Sequence, residues 1–154
     1  MMVKKMVLSL TLLAMVIVLG SFAPFVCKNG GIKGKIYLVA GNQMPNIGQP
    51  LPGKTPLQTT LYIYELTNVN QVTRADVYSS FYKSINTKLV KKIQSGKNGA
   101  FKVKLPPGQY SLFVKKDSLF YANIFDGKNN INPVTVEKGK YADVEVRADY
   151  DAVY

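Results

Sequence analysis

The sequence contains no histidine, no tryptophan and a single cysteine. Without histidine there is no imidazole general base, no Ser-His-Asp or Cys-His nucleophile pair, and no histidine-ligated zinc or haem. One cysteine also excludes a cysteine-only zinc site, a Cys-x-x-Cys redox pair and an intrachain disulfide. We therefore expect a protein that is not an enzyme and that holds no cofactor.

The first 26 residues have the pattern of a secretory signal. Lys4 and Lys5 precede 21 uncharged, mostly apolar residues, 6–26. Cleavage near residues 20–23 is one interpretation, and a lipid-modified Cys27 is a second. The uncharged run is also long enough to span a bilayer, so a retained anchor is a third. All three predict an exported protein, located in the periplasm, on the outer-membrane surface or outside the cell.

The charge balance is strongly basic, with 20 Lys and Arg against 9 Asp and Glu and a net charge of +11. Removing residues 1–26 takes away two lysines and leaves +9. In an exported protein this charge favours an anionic glycan, lipopolysaccharide or an envelope protein as partner, with no nucleic acid. We expect membrane contact only through the N-terminal segment. The alternative is that the charge only keeps the domain soluble.

Short strands are predicted along the first half of the domain. Residues 32–41 alternate, with Ile32, Gly34, Ile36, Leu38 and Ala40 on one face and Lys33, Lys35, Tyr37 and Val39 on the other. A loop rich in proline and glycine follows over 41–58, and further strands are predicted over 59–66 and 89–94. Residues 68–88 are read either as a short helix capped by Thr73 and Asp76 or as a loop that carries aromatic residues.

The segment from Asn98 to Val114 predicts a hairpin. Asn98-Gly99 favours a two-residue hairpin turn, and residues 106–109 (PPGQ) suit a type II turn. Pairing across that turn puts six apolar residues on one face: Phe101, Val103, Leu105, Tyr110, Leu112 and Val114. The same register turns Lys102 and Lys104 outward, next to Phe113 and Ser111.

Two more strands are predicted over 132–137 and 141–148, for a total of seven or eight. The pattern is typical of an all-β, antiparallel two-sheet β-sandwich that forms one domain over residues 31–148. We expect its core to contain thirteen apolar residues: Ile36, Leu38, Leu61, Ile63, Phe101, Val103, Leu105, Tyr110, Leu112, Val114, Val136, Val144 and Val146.

Residues 95–114 (SGKNGAFKVKLPPGQYSLFV) resemble the hallmark segment of carboxypeptidase regulatory-like domains, a group of transthyretin-like (prealbumin-like) sandwiches. Residues 31–37 (GIKGKIY) resemble the first strand of that family, whereas Gly96 replaces its usual acid. Residues 121–126 and 131–134 are similar to segments of small exported proteins of the Bacteroidetes type. The resemblance implies a non-catalytic sandwich, because related zinc carboxypeptidases carry catalysis on a separate domain.

Two clusters of oxygen ligands and a set of aromatic residues have alternative interpretations. Residues 126–132 (DGKNNIN) are read as an Asx-rich turn, with a Ca²⁺ site as the alternative. Four acids gather near the C-terminus, namely Asp143, Glu145, Asp149 and Asp151. Asp143 and Glu145 alternate with valines and are expected on a solvated strand face rather than as a general acid/base pair. The aromatic residues are expected mainly in packing, with sugar stacking as the alternative.

Three functions follow from these observations. The first is a non-catalytic exported module with a binding or structural role at the cell envelope. The second is a module that binds carbohydrate or anionic glycan through surface aromatics and lysines, and the third is a hydrolase that uses carboxylates alone. We expect any ligand to contact an outer face made of Lys33, Lys35, Lys102, Lys104 and Phe113, rather than a buried pocket.

Overall fold

The computed structural model describes residues 30–45, 47–48, 50 and 52–154. The predicted signal segment, Lys4, Lys5 and Cys27 lie outside these residues. The described part of the chain forms eleven strands in two sheets that face each other. The all-β two-sheet sandwich expected from the sequence is confirmed. No helix in this part is long and apolar enough to span a membrane.

The smaller sheet contains four strands built around the first one. These are β1 (Gly30–Asn42), β2 (Thr55–Pro56), β7 (Ala100–Leu105) and β11 (Tyr141–Val153). β1 pairs with β11 along one side and with β7 and then β2 along the other. The β1–β11 pair is parallel, which departs from the fully antiparallel arrangement expected.

The larger sheet contains seven strands in the order β4-β5-β9-β8-β3-β6, with β10 also paired to β8. Their bounds are β3 (Thr60–Glu65), β4 (Val72–Arg74), β5 (Phe81–Ile85), β6 (Leu89–Gln94), β8 (Gly108–Lys116), β9 (Leu119–Tyr121) and β10 (Pro133–Val136). β8 lies near the centre because it pairs with β3 on one side and with β9 and β10 on the other.

The main core lies between the two sheets and contains most of the residues expected there. Eleven of them are buried, namely Ile36, Leu61, Ile63, Phe101, Val103, Leu105, Tyr110, Leu112, Val114, Val136 and Val146, and Val144 packs against them partly buried. Leu38 is the exception, because a register shift between Leu38 and Ala40 places two β11 residues opposite Val39. Val39 is buried instead.

The predicted hairpin between β7 and β8 is wrong, although the inward faces of both strands are as expected. β7 pairs with β1 in one sheet, whereas β8 pairs with β3 in the other. Pro106 and Pro107 cross between the sheets, and neither has an N–H for a ladder hydrogen bond. Gly108 lacks the positive φ of a type II turn, and the Tyr110 hydroxyl donates a 2.9 Å hydrogen bond to the Pro106 carbonyl.

The hairpin expected at Asn98-Gly99 is also wrong, because this turn joins β6 of the larger sheet to β7 of the smaller one and the two strands do not pair. Gly99 adopts a φ of 72°, a conformation that glycine tolerates without strain. The Gly99 N–H donates to the Gly96 carbonyl at 2.9 Å, which closes the turn.

The ambiguous stretch 68–88 does not form the short helix. It contains one 3₁₀ turn (Val69–Gln71), then β4 and β5. The capping box is at Asn68 and Gln71 rather than at Thr73 and Asp76. Residues with β-branched or aromatic side chains pair here as strands, so local helical spacing was outweighed by sheet pairing.

Candidate functional site

The outer surface of the four-stranded sheet carries a concentration of positive charge. Lys33 and Lys35 alternate with inward-facing residues on β1, and Lys102 and Lys104 do the same on β7. β1 and β7 are neighbours, so the four predicted lysines share one surface. Lys54 and Arg147 extend it, because Lys54 contacts the Tyr37 ring and Arg147 is the register partner of Tyr37. We call these six residues the basic face.

The strand register sets the spacing of charge within the basic face. Lys33 lies directly opposite Lys102 on β7 and opposite Asp143 on β11. Its Nζ atom is 3.3 Å from a carboxylate oxygen of Asp143, and Lys54 forms an ion pair with Glu145. Asp143 and Glu145 are exposed on this strand face, as predicted. Six cations therefore share the surface with two carboxylates, each paired with a lysine.

Two tyrosine rings lie beside lysines on the same surface. The Lys54 Nζ is 4.4 Å from the centre of the Tyr37 ring, and the Lys102 Nζ is 4.6 Å from the centre of the Tyr141 ring. The alternation of β1 placed Tyr37 on this face, whereas no local pattern indicated that Tyr141 would lie beside the lysines. Tyr141 reaches the face because β11 pairs with β1 over a long sequence separation.

A shallow depression of about 490 Å³ lies in the centre of the basic face. Gly34 and Ala100 contribute little or no side chain there, so the longer lysines around them form its walls. Lys33, Lys35 and Lys102 line it together with Tyr37. The depression is open to solvent and brings cations, carboxylates and an aromatic ring within reach of one ligand.

Phe113 is not part of this surface, so its expected position beside Lys102 is wrong. It lies in β8 of the seven-stranded sheet and is fully buried, at 0% exposure. Its ring packs edge-to-face against Tyr64 and Tyr82, with centroid separations of 5.7 and 5.8 Å. Residues near 69–72 and 122–131 cover this side of the sheet and convert it into a second apolar cluster.

Most of the other aromatic residues also pack, as expected. Tyr64, Tyr82 and Tyr121 are buried, and Tyr62, Phe81 and Phe120 are partly buried against one of the two apolar clusters. Tyr78 differs, because its side chain is almost completely exposed.

The 126–132 segment folds as the predicted Asx-rich turn. One carboxylate oxygen of Asp126 accepts 2.8 Å hydrogen bonds from the backbone N–H groups of Lys128 and Asn130, and the other accepts from the Asn130 side chain at 2.8 Å. Hydrogen bonds from Asn130 hold the pKa of Asp126 below its ordinary value. Both oxygens of the Asp126 carboxylate are therefore hydrogen-bonded within their own loop.

A buried carboxylate connects the two sheets. It belongs to Asp149, one of the four acids that the sequence gathers near the C-terminus, but its burial was not predicted. Asp149 on β11 accepts hydrogen bonds from the Tyr121 hydroxyl and the Asn123 amide, both at 2.6 Å, and from the Tyr154 hydroxyl at 2.7 Å. Burial alone would raise the pKa of Asp149, but these hydrogen bonds outweigh it and lower the pKa. Burial, together with the bond to Asp149, raises the pKa of Tyr121.

Comparison with known proteins gave no match to a protein-family model, to a curated protein or to a solved structure.

Proposed function

We propose that this protein is a non-catalytic, exported binding module whose basic face holds an anionic glycan at the cell envelope. The observation that carries the proposal is the register of β1 and β7, which places Lys33 directly opposite Lys102. Like charges on opposed sheet positions are destabilising, and Asp143 compensates only part of this charge. A surface that accumulates this repulsion gains stability when an anion binds.

The chemistry of the depression fits a sugar that carries carboxylate, sulfate or phosphate groups. Lys33, Lys35 and Lys102 supply cations for the anionic group, and Asp143 and Glu145 supply acceptors for hydroxyl groups. The Tyr37 ring supplies an apolar wall. Each exposed ionic contact contributes about 1 kcal/mol or less, so affinity requires several contacts and falls as salt increases.

Two sequence features support export and the absence of catalysis. Residues 1–26 have the pattern of a secretory signal. Export would bring the chain to the anionic glycans and lipopolysaccharide that lie outside the cytoplasm. The resemblance of residues 95–114 to carboxypeptidase regulatory-like domains points to a module without its own active site. The pairing of Asp143 with Lys33 and of Glu145 with Lys54 also favours binding over a carboxylate-dependent hydrolase.

Retention of the full chain on immobilised heparin tests the proposal. The variant Lys102→Glu/Lys104→Glu reverses two charges on the basic face, and Lys83→Glu/Lys88→Glu makes the same charge change on exposed residues of β5 and its following loop. We expect the first variant to elute at clearly lower salt than the second. Equal elution of the two variants would show that retention follows total charge, and the basic face would not be a binding site.

A further inference from the structure

A tight turn between β4 and β5 exposes two apolar side chains at its tip. The turn spans residues 76–79 and is closed by a 3.1 Å hydrogen bond from the Ser79 N–H to the Asp76 carbonyl. The Asp76 carboxylate also accepts from the Val77 N–H at 2.7 Å. The two central residues are Val77, which is 73% exposed, and Tyr78, which is 96% exposed. Gly, Pro, Asn and Asp usually occupy such positions, so these side chains are not explained by the turn.

A second exposed apolar pair lies on the neighbouring loop. Ile124 and Phe125 are 43% and 40% exposed, and a 2.7 Å hydrogen bond from Asn132 to the Ile124 carbonyl fixes the start of their loop. Arg74 joins the two loops, because its guanidinium donates to the Ser79 carbonyl at 2.8 Å and lies 5.9 Å from the centre of the Phe125 ring. We call Val77, Tyr78, Ile124 and Phe125 the apolar tips.

We propose that the apolar tips insert into the surface of an anionic lipid bilayer. An almost fully exposed Tyr78 has no wall on either side of its ring, so the tips form a projection and not a preformed pocket for a small ligand. Four side chains are also far short of the roughly 20–30 residues per partner in a stable protein interface. A bilayer needs neither a matching shape nor a large contact, and tyrosine is well suited to its interfacial zone.

Charge complementarity favours anionic lipid over neutral lipid. The Arg74 guanidinium lies between the two loops that carry the tips and is opposite in sign to an anionic headgroup. The Asp76 carboxylate of the same turn already accepts a hydrogen bond from the Val77 N–H. The whole chain also carries +11, which attracts it to a negatively charged surface. Membrane contact would then not be confined to the N-terminal segment.

This inference is independent of the glycan proposal. The tips belong to loops of the seven-stranded sheet, near β4 and β5, whereas the basic face belongs to the four-stranded sheet. Loss of glycan binding would leave lipid insertion intact, and the reverse also holds.

The absence of tryptophan makes a site-specific test possible in the full chain, because Tyr78→Trp introduces a single indole fluorophore. The matched control is Leu89→Trp, at another exposed apolar position on β6, the opposite edge of the same sheet. Both variants keep residues 1–26, so any attachment through that segment is common to them. Each is mixed with phosphatidylcholine vesicles that either contain or lack phosphatidylglycerol.

We expect the emission of the Tyr78→Trp variant to shift to shorter wavelength with phosphatidylglycerol vesicles and to be quenched by lipids brominated near the headgroup end of the acyl chain. The Leu89→Trp variant should show neither effect. Adding Val77→Ser to Tyr78→Trp should reduce the shift. An unchanged Tyr78→Trp spectrum, an equal shift in both variants, or a response to soluble heparin oligosaccharide but not to vesicles would overturn the proposal.

Discussion

Asp149 illustrates how a single buried residue links the two sheets of this sandwich. It is the one charged side chain that is buried in the described part of the chain. Its hydrogen-bond donors are Tyr121 on β9, Asn123 in the segment that follows β9, and Tyr154. The carboxylate therefore connects the four-stranded sheet to the seven-stranded sheet, and none of the ion pairs among residues 30–45, 47–48, 50 and 52–154 involves it. Neutral donors stabilise the ionised form, because each points an N–H or O–H at it.

The Asp149→Asn variant should lose stability at neutral pH. We expect a decrease in the free energy of unfolding of about 1–3 kcal/mol, since a buried group loses its charge-assisted hydrogen bonds. The pKa of Asp149 is lowered from its ordinary value of 3.8. Its contribution is therefore fully present above about pH 4 and is lost as pH falls through the lower pKa of the folded state.

Urea unfolding at several pH values measures this effect. The wild-type protein should lose more stability than Asp149→Asn as the pH is lowered below about 4. Asp151→Asn serves as the control, because it removes only an exposed ion pair with Lys116 and should have a smaller effect at neutral pH. Parallel acid profiles for the wild type and Asp149→Asn would contradict the role assigned to Asp149.

At the scale of elements, β1 organises the four-stranded sheet because it pairs with the other three strands. The backbones of β7 and β11 come closest to β1 at positions where β1 carries glycine. A Cβ atom at Gly31 would collide with the Val103 carbonyl of β7, and one at Gly34 would collide with the Val144 carbonyl of β11. The glycines of the GIKGKIY segment thus allow the close approach that brings Lys33 between Lys102 and Asp143.

The Gly34→Ala variant should therefore disturb the parallel β1–β11 pair. We expect a loss of about 1–3 kcal/mol in the free energy of unfolding, because backbone atoms must move to accept the methyl group. Gly53→Ala is the matched control, since nothing lies within 4 Å of a Cβ atom at Gly53. That variant should stay within about 0.5 kcal/mol of wild type in chemical denaturation. Equal stabilities for the two variants would show that the β1–β11 contact tolerates a side chain at Gly34.

Local alternation predicted much of the core, but it did not predict which strands pair. The inward positions of Phe101, Val103 and Leu112 depend only on strand geometry, which repeats every two residues. The same alternation is satisfied whether β7 and β8 form a hairpin or lie in facing sheets. The crossing at Pro106 and the parallel partner of β1 depend on contacts distant in sequence, so short patterns did not specify them.

For the candidate site, too, the sequence predicted which side chains face outward but not which strands lie side by side. Strand alternation turned Lys33, Lys35, Lys102 and Lys104 outward, and the pairing of β1 with β7 places them on one surface. Alternation also correctly turned Phe113 away from the main core. It could not reveal that a later segment, around Ile131, covers the Phe113 ring. Tyr141 and Arg147 join the face through the β1–β11 register, which was not predicted.

For the molecule as a whole, the N-terminal pattern predicts export, and the net charge favours an anionic partner at the cell envelope. We expect cell fractionation to find the chain in envelope or secreted fractions, with no cytoplasmic pool, because residues 1–26 have the features of an export signal. A variant without residues 1–26 should remain in the cytoplasm. Full-length wild-type protein in the cytosolic fraction would contradict export. Intact mass of the exported form distinguishes cleavage near residues 20–23, lipid-modified Cys27 and an uncut anchor.

If the basic face of the four-stranded sheet holds an anionic glycan, a heparin oligosaccharide should perturb the backbone amides of that face. Titration of isotope-labelled protein, followed through its backbone amide resonances, measures this. We expect the largest shift changes on β1, β7 and the first half of β11, around Lys33, Lys35 and Lys102, and we expect them to diminish as salt is added. Changes concentrated on β5 and β6, or spread evenly over all exposed lysines, would contradict glycan binding at the basic face.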